Sequence, residues 1–267
     1  MWCKQRGEMK LSNIVKLFEV PIFTGSFQEA FAEIAQALEN KTSHGSHGVY
    51  AVYTPNTEHV MLAQRHPQFL HALQSADLTL PDGIGAVWAS NILFRSRIKE
   101  RITGREMMFS LIEYCARHHL RVFLVGGREH VAQKTAEYFH TRFSDLEIAY
   151  DEGANVVTQE TSEENSRIFS AIQKFQPQLL CVAYGAPHQE LWIEHYRDEL
   201  SRAGVRVAMG VGGSFDVFSG KLKLPPEFIE HAGLEWFWRL LQEPWRLKRQ
   251  TVLVQFWIKV WAKKIFG

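Results

Sequence analysis

Leu78-Thr79-Leu80-Pro81-Asp82-Gly83-Ile84-Gly85 is the stretch that decides the fold. A β-type run, Leu78 to Leu80, stops at Pro81. A carboxylate follows, then two glycines within three positions, and Ala86 to Trp88 opens a helical pattern. Asp82 is therefore expected at the carboxyl end of a strand and beside a helix N-terminus, where α/β sheets hold ligands. Helix amides at such a place keep a carboxylate ionised near neutral pH and fit to accept a proton. An aspartate that only caps a helix before a turn glycine leaves the same local pattern.

The unit recurs on both sides. Upstream, Val49 to Thr54 reads as a strand closed by Thr54-Pro55-Asn56, with one helix expected from Thr57 to Ser75. Thr54, Asn56 and Asp82 then stand at the exits of two neighbouring strands. Three small polar groups gathered there suit sugar hydroxyls or phosphate, although Thr54 and Asn56 also make good helix caps. Still earlier, Val15 to Phe23 predicts one or two short strands, and Ser26 with Glu29 forms a capping box. Downstream, Thr103-Gly104-Arg105-Glu106 is a second capping box leading a helix to His119. Arg101, just before it, is placed to meet an anion held by the helix amides; a solvated surface arginine is the alternative, as it is for Arg105.

Three further strands are predicted with glycines at their exits. Arg121 to Val125 ends in Gly126-Gly127, Leu179 to Tyr184 in Gly185-Ala186-Pro187, and Val205 to Val211 in Gly212-Gly213. Helices are expected at Glu129–Phe143 and Glu160–Phe175, with a weak strand, Glu147–Tyr150, between them. Alternation of this kind predicts an α/β fold: a Rossmann-like, mostly parallel sheet with helices on both faces. Glycines at strand exits let backbone amides approach a diphosphate, and pure packing turns look alike. None of the turns is GxGxxG or a P-loop, so neither NAD nor ATP is indicated. Gln189 can donate to and accept from a ribose, a base or a sugar, whereas Glu190 beside it suits the helix dipole. Asp216 is a second candidate carboxylate, with loop capping as its alternative.

Composition sets outer bounds. The chain has 267 residues, 46% of them apolar, and a formal charge of +1, so nothing global points to nucleic acid. Cys3, Cys115 and Cys181 are too scattered for a metal spacing or a disulfide framework, which fits a reducing compartment. His44 and His47 lie in a glycine-containing polar loop and read as solvated. No signal peptide is visible, and no run of eighteen apolar residues predicts a membrane span. Three regions are expected: a flexible N-terminus over 1–14, an α/β core over 15–224, and a helical appendage over 225–267. Five of the 8 tryptophans fall in the appendage, and no acidic residue follows Glu243. Its last helix has a wide apolar face with a narrow stripe of Lys248, Gln255, Lys259 and Lys263. That combination suits an anionic membrane surface, with Phe256, Trp257 and Trp261 at the headgroup boundary. Packing on the body, or on a second copy in a homo-oligomer, is the alternative.

The motifs in order resemble the WecG/TagA/CpsF glycosyltransferase family. They are Thr54-Pro55-Asn56, Pro81-Asp82-Gly83-Ile84-Gly85, Arg101-Ile102-Thr103-Gly104, Phe123 to Gly127, Gly185 to Glu190, Gly210 to Asp216, and Gly233 to Leu240 with Glu243-Pro244. Each is weak alone; the ordered set covers Leu17 to Gln250. The resemblance implies inverting transfer of N-acetylmannosamine, its uronic acid or glucose from a UDP-sugar to a polyprenyl-diphosphate-linked acceptor. It implies a peripheral enzyme on the cytoplasmic face of the bacterial inner membrane, with no cofactor and no metal. Asp82 matches the family's proposed base and Arg101 its diphosphate-side arginine. Thr54, Asn56 and Gln189 match polar pocket residues, with Gly83, Gly126, Gly127, Gly185, Glu190, Gly212 and Asp216 in the same motifs. No DxD metal-binding pair occurs in the chain. Two departures stand out. Lys223-Leu224-Pro225-Pro226 replaces the usual Lys-Arg-Ala-Pro, so Arg239, Arg246 or Arg249 is expected to supply the missing contact. Pro187-His188 replaces a commoner Pro-Lys and removes a permanent charge.

Overall fold

The computed structural model describes residues 13–39, 48–94, 98–154, 161–226, 235–244 and 247–266, the side chains at 235, 236, 239 and 247–250 excepted. It opens with an antiparallel hairpin of β1 (Ile14–Leu17) and β2 (Val20–Phe23). The order is then α1 (Phe27–Glu39), β3 (Tyr50–Tyr53), α2 (Thr57–Ala63), α3 (Pro67–Ser75), β4 (Leu78–Thr79), α4 (Ile84–Leu93), α5 (Gly104–Arg117) and β5 (Val122–Gly126). There follow α6 (Val131–Arg142), β6 (Ile148–Asp151), α7 (Ser162–Phe175), β7 (Leu179–Ala183), α8 (His188–His195), α9 (Arg197–Arg202), β8 (Val207–Gly210) and α10 (Ser214–Phe218). Two helices close the chain, α11 (Glu235–Gln242) and α12 (Leu247–Phe266).

β3 to β8 form one sheet in the order β4-β3-β8-β7-β5-β6, and every neighbouring pair is parallel. Register keeps the strand exits level. Thr79 pairs with Tyr53, Gly210 with Val182, and Val125 with both Val182 and Asp151. Alternate residues face opposite ways, as the pleat requires. Tyr53, Val125, Val182 and Ala208 meet side chains of α2, α3, α4, α7 and α8 on one face. Val52, Leu124, Cys181 and Met209 meet α1, α5, α6 and α10 on the other. The expected sheet with helices on both faces is thus present. β3 and β8 are neighbours, yet their following helices, α2 and α10, lie on opposite faces. That divergence opens a crevice beyond their carboxyl ends, the switch point of a doubly wound sheet.

One predicted helix is in fact two. The expected run from Thr57 to Ser75 breaks between α2 and α3 at Pro67, which takes the first helical turn of α3 while His66 Nδ1 caps the Phe69 amide at 3.2 Å. Proline lacks the amide that a continuous helix needs and fits only a fresh start. The capping box at Ser26 formed as read, with Ser26 and Glu29 bonding reciprocally; at Thr103 the cap formed, Thr103 Oγ1 accepting from the Glu106 amide at 3.2 Å and donating to Glu106 Oε2 at 2.7 Å.

α12 packs along α2 and α4. Phe256 and Val260 are completely buried in the same core as the sheet, and Phe256 meets Phe18 edge-to-face at 6.0 Å. Phe256 and the half-buried Trp257 therefore do not stand at an outer boundary as expected. Their helical positions face inward, leaving Val254, Ile258, Trp261 and Ile265 as an exposed stripe. The apolar face is wide enough to serve both sides of the helix. α11 is tied to the segment that departs from the family pattern. Gln242 bonds both the amide and the carbonyl of Lys223 at 2.9 Å, and Trp238 Nε1 donates to the same carbonyl at 3.0 Å. Among the described residues no helix is long and apolar enough to cross a membrane.

Candidate active site

The polar residues singled out from sequence gather at the exits of β3 and β4. Thr54 follows β3 directly and is buried. Its Cγ2 and Oγ1 lie against Gly104, where a Cβ would come within 3.1 and 3.2 Å of them. The first residue of α5 is thereby seated on β3. Asn56 caps α2, its Oδ1 accepting from the His59 amide at 3.1 Å. The capping role foreseen for Asn56 is real, and it uses the oxygen alone. The Cβ of Asn56 in turn packs at Gly83, the N-cap of α4. Asp82 is half-buried and immediately precedes that cap, with its amide bonded to Leu80 O at 2.9 Å. Ile102 N donates to Pro81 O at 3.1 Å, which draws the Arg101 segment alongside Asp82. Thr54 and Asn56, Asp82, and Arg101 thus come from three segments linked by backbone bonds and close glycine contacts.

The glycine turns separate into two kinds. Gly126 and Gly127 are consumed by packing: an added Cβ would meet the Ala183 carbonyl group at 3.0 Å and Val131 Cγ1 at 2.9 Å respectively. Gly185 and Gly212 differ. Both are left-handed, with φ of +73° and +52°, and among the described residues both face open space. A ligand can approach the backbone there, in the crevice beside β3.

Gln189 joins those two open turns. It is 1% exposed, and its Oε1 accepts from Gly185 N at 3.2 Å and from Gly212 N at 3.0 Å. Its Nε2 donates to Glu190 Oε1 at 2.8 Å. Glu190 is equally buried, its Oε2 has no hydrogen-bond partner among the described residues, and burial pushes its carboxyl up to about 7. A role limited to complementing the helix dipole does not describe a carboxyl enclosed in this way. Gly210 lies beneath, and any Cβ on it would reach 2.9 Å from Gln189 Nε2. Gln189 and Glu190 were named as pocket candidates from the sequence, whereas Gly210 stood in the ordered motifs without a role of its own; a glycine inside a buried strand was its signal.

Asp216 lies in the first turn of α10, and its carbonyl accepts from Leu222 N at 2.8 Å. Arg239 and Arg249 fall on α11 and α12, and Arg246 lies outside the described residues. His188 opens α8 beside the Gly185 turn, and burial with the neighbouring His66 holds its imidazole below the usual range. Among the described residues no group of three or more His, Cys, Asp or Glu is placed to hold a metal ion.

A doubly wound sheet with polar side chains and open glycine turns at its switch point defines the class: α/β proteins that hold their ligand outside the strand ends. The chain belongs to the Glycosyl transferase WecG/TagA/CpsF family, whose model matches residues 15–267. It is 35% identical over 206 residues to the N-acetylglucosaminyldiphosphoundecaprenol N-acetyl-beta-D-mannosaminyltransferase of Bacillus spizizenii, covering 77% of this chain and 76% of that protein. A protein of the same name from Bacillus subtilis (strain 168) is 32% identical over 210 residues, 78% of each chain. The chain is accordingly a glycosyltransferase, as the ordered motifs implied.

Proposed function

We propose that this glycosyltransferase moves N-acetylmannosamine, with inversion, from its UDP derivative to an N-acetylglucosaminyl-diphosphate polyprenol. Transfer from a UDP-sugar to a polyprenyl-diphosphate-linked acceptor follows from family membership, and the choice of sugar rests on the names of the two relatives. The observation that carries the reading is the gathering of Thr54, Asn56, Asp82 and Arg101 beside the open turns at Gly185 and Gly212. In the reaction, an acceptor hydroxyl oxygen bonds to the anomeric carbon from the face opposite UDP. The sugar–UDP bond breaks, and the bonding pair leaves on the diphosphate. Asp82 takes the hydroxyl proton as general base. Arg101 and backbone amides stabilise the charge that grows on the leaving diphosphate, without a metal. Thr54 Oγ1 and Asn56 Nδ2 hold sugar or phosphate oxygens. Arg239, Arg246 or Arg249 completes the site from the C-terminal segment.

The acceptor is a lipid, and the reading extends to a peripheral location on the cytoplasmic face of the inner membrane. Seven of the exposed large apolar residues lie on α11 and α12: Phe237, Leu241, Val254, Ile258, Trp261, Ile265 and Phe266. Lys259 and Lys264 lie beside the stripe on α12 and are exposed. A surface helix of this kind suits an anionic interface, where each lysine contributes on the order of 1 kcal/mol.

The test is transfer from a panel of UDP-sugars, including UDP-N-acetylmannosamine, its uronic acid and UDP-glucose, with and without lipid-linked N-acetylglucosamine. Acceptor-dependent product from UDP-N-acetylmannosamine alone is expected. Product from another donor would overturn the sugar assignment, and no acceptor-dependent turnover with any donor would overturn the reading.

A further inference from the structure

Resting on the UDP-sugar reading, we propose that Glu190 is a positioning residue for the donor: by fixing the orientation of the Gln189 amide, it sets the spacing of the two open glycine turns that border the crevice. The turns leave adjacent strands, β7 and β8, and Gln189 Oε1 takes one amide hydrogen from each, Gly185 N at 3.2 Å and Gly212 N at 3.0 Å. A carboxamide has one accepting and one donating end. Turned over, its NH2 would face those two amide hydrogens and repel both turns. The two amide hydrogens therefore favour the oxygen end, which leaves the buried NH2 end in need of an acceptor.

The group at the other end supplies that acceptor and holds the same orientation. Glu190 Oε1 is an acceptor 2.8 Å from Gln189 Nε2 and so demands the NH2 end. The rest of the local structure serves that contact. Gly210 has no Cβ, and one there would stand 2.9 Å from Nε2. The Glu190 backbone is pinned by Tyr53, whose hydroxyl donates to its carbonyl at 3.3 Å. Glu190 Oε2 is buried without a partner among the described residues. A buried, half-satisfied carboxyl is costly, and a plain packing role would be served by an apolar residue. The need for an acceptor at this one point accounts for it. Because Gly185 and Gly212 face open space with left-handed backbones, a shift of either turn alters the donor seat itself rather than the packing behind it.

Glu190→Leu removes the acceptor, and Glu190→Gln retains an amide oxygen able to accept the same bond. For Glu190→Leu the donor KM and the UDP Kd are expected to rise at least about tenfold, with the acceptor KM unchanged; displacements of under an ångström have effects of this size. Glu190→Gln is expected to bring both constants back to within about threefold of the parent, as conservation of the single bond requires. A merely structural role would lower Tm without separating donor from acceptor. Gly210→Ala displaces Gln189 Nε2 without altering Glu190, and is expected to weaken the donor alone in the same way. Should Glu190→Leu fail to fold, Gly210→Ala decides the matter. Folded variants with parental donor KM and UDP Kd would overturn the inference. A parent enzyme that does not bind UDP in the same titration would instead overturn the donor reading on which it rests.

Discussion

Glu190→Gln should change the pH dependence of stability in a calculable way. Burial raises the Glu190 carboxyl from 4.5 to about 7 in the folded chain. The folded state therefore holds a proton that the unfolded state has released across that interval. Stability from this group is complete below pH 4.5 and is lost as pH rises through 7. Each unit of difference is worth about 1.4 kcal/mol, so the full loss is on the order of 3 kcal/mol, most of which falls between pH 5 and pH 8.5. Glutamine does not titrate and accepts the same Gln189 bond. At pH 5 parent and variant should have similar stability, and at pH 8.5 the variant should be the more stable by about 2 to 3 kcal/mol. Urea denaturation at both values measures the difference, and histidines such as His188 cancel because both proteins carry them. A gap that stays constant within about 0.5 kcal/mol, or one that favours the parent at high pH, would refute the reasoning.

Asp82→Asn should leave melting temperature and UDP affinity near those of the parent while turnover falls at least about 100-fold, the scale of a lost general base; a steady-state assay with lipid-linked acceptor checks it, and parental turnover would remove Asp82 from the base role. Arg101→Ala should weaken UDP binding in calorimetric titration or slow turnover by about tenfold or more, and no change in either would remove it from the diphosphate side. Activity should survive EDTA to within about twofold, since no step is assigned to a metal worth several kcal/mol. Ile258→Glu combined with Trp261→Glu should abolish flotation with anionic vesicles while leaving the fold intact, because both residues are exposed, at 64% and 54%. Truncating α12 would be a poorer test, since Phe256 and Val260 belong to the sheet's own core.

The sequence by itself determined the elements and their punctuation. Strand exits at Thr54, Asp82, Gly126, Gly185 and Gly212 were legible because proline, glycine and the apolar runs act locally. The helix caps at Ser26 and Thr103 were legible because both partners lie within four residues. Pro67 marked the break between α2 and α3 just as plainly and was overridden by an apolar pattern that continued past it. Only the tertiary structure decided which exits share a crevice. Strand order is a long-range property, and β8 enters between β3 and β7 although some 150 residues separate it from β3. That insertion brings Gly212 beside Thr54 and Asn56, and it brings Gln189 within reach of two turns at once. It also decided the two uses of glycine: the pair at 126 and 127 is filled by neighbouring side chain and backbone, whereas Gly185 and Gly212 look into open space. The same holds for α12, whose composition allowed either face to be buried. Helical period assigned Phe256 and Val260 to one side and Ile258 and Trp261 to another, and contact with α2 and α4 chose which side turned inward. Local pattern fixes what a segment can bury; only the partner, supplied by the rest of the chain, fixes what it does bury.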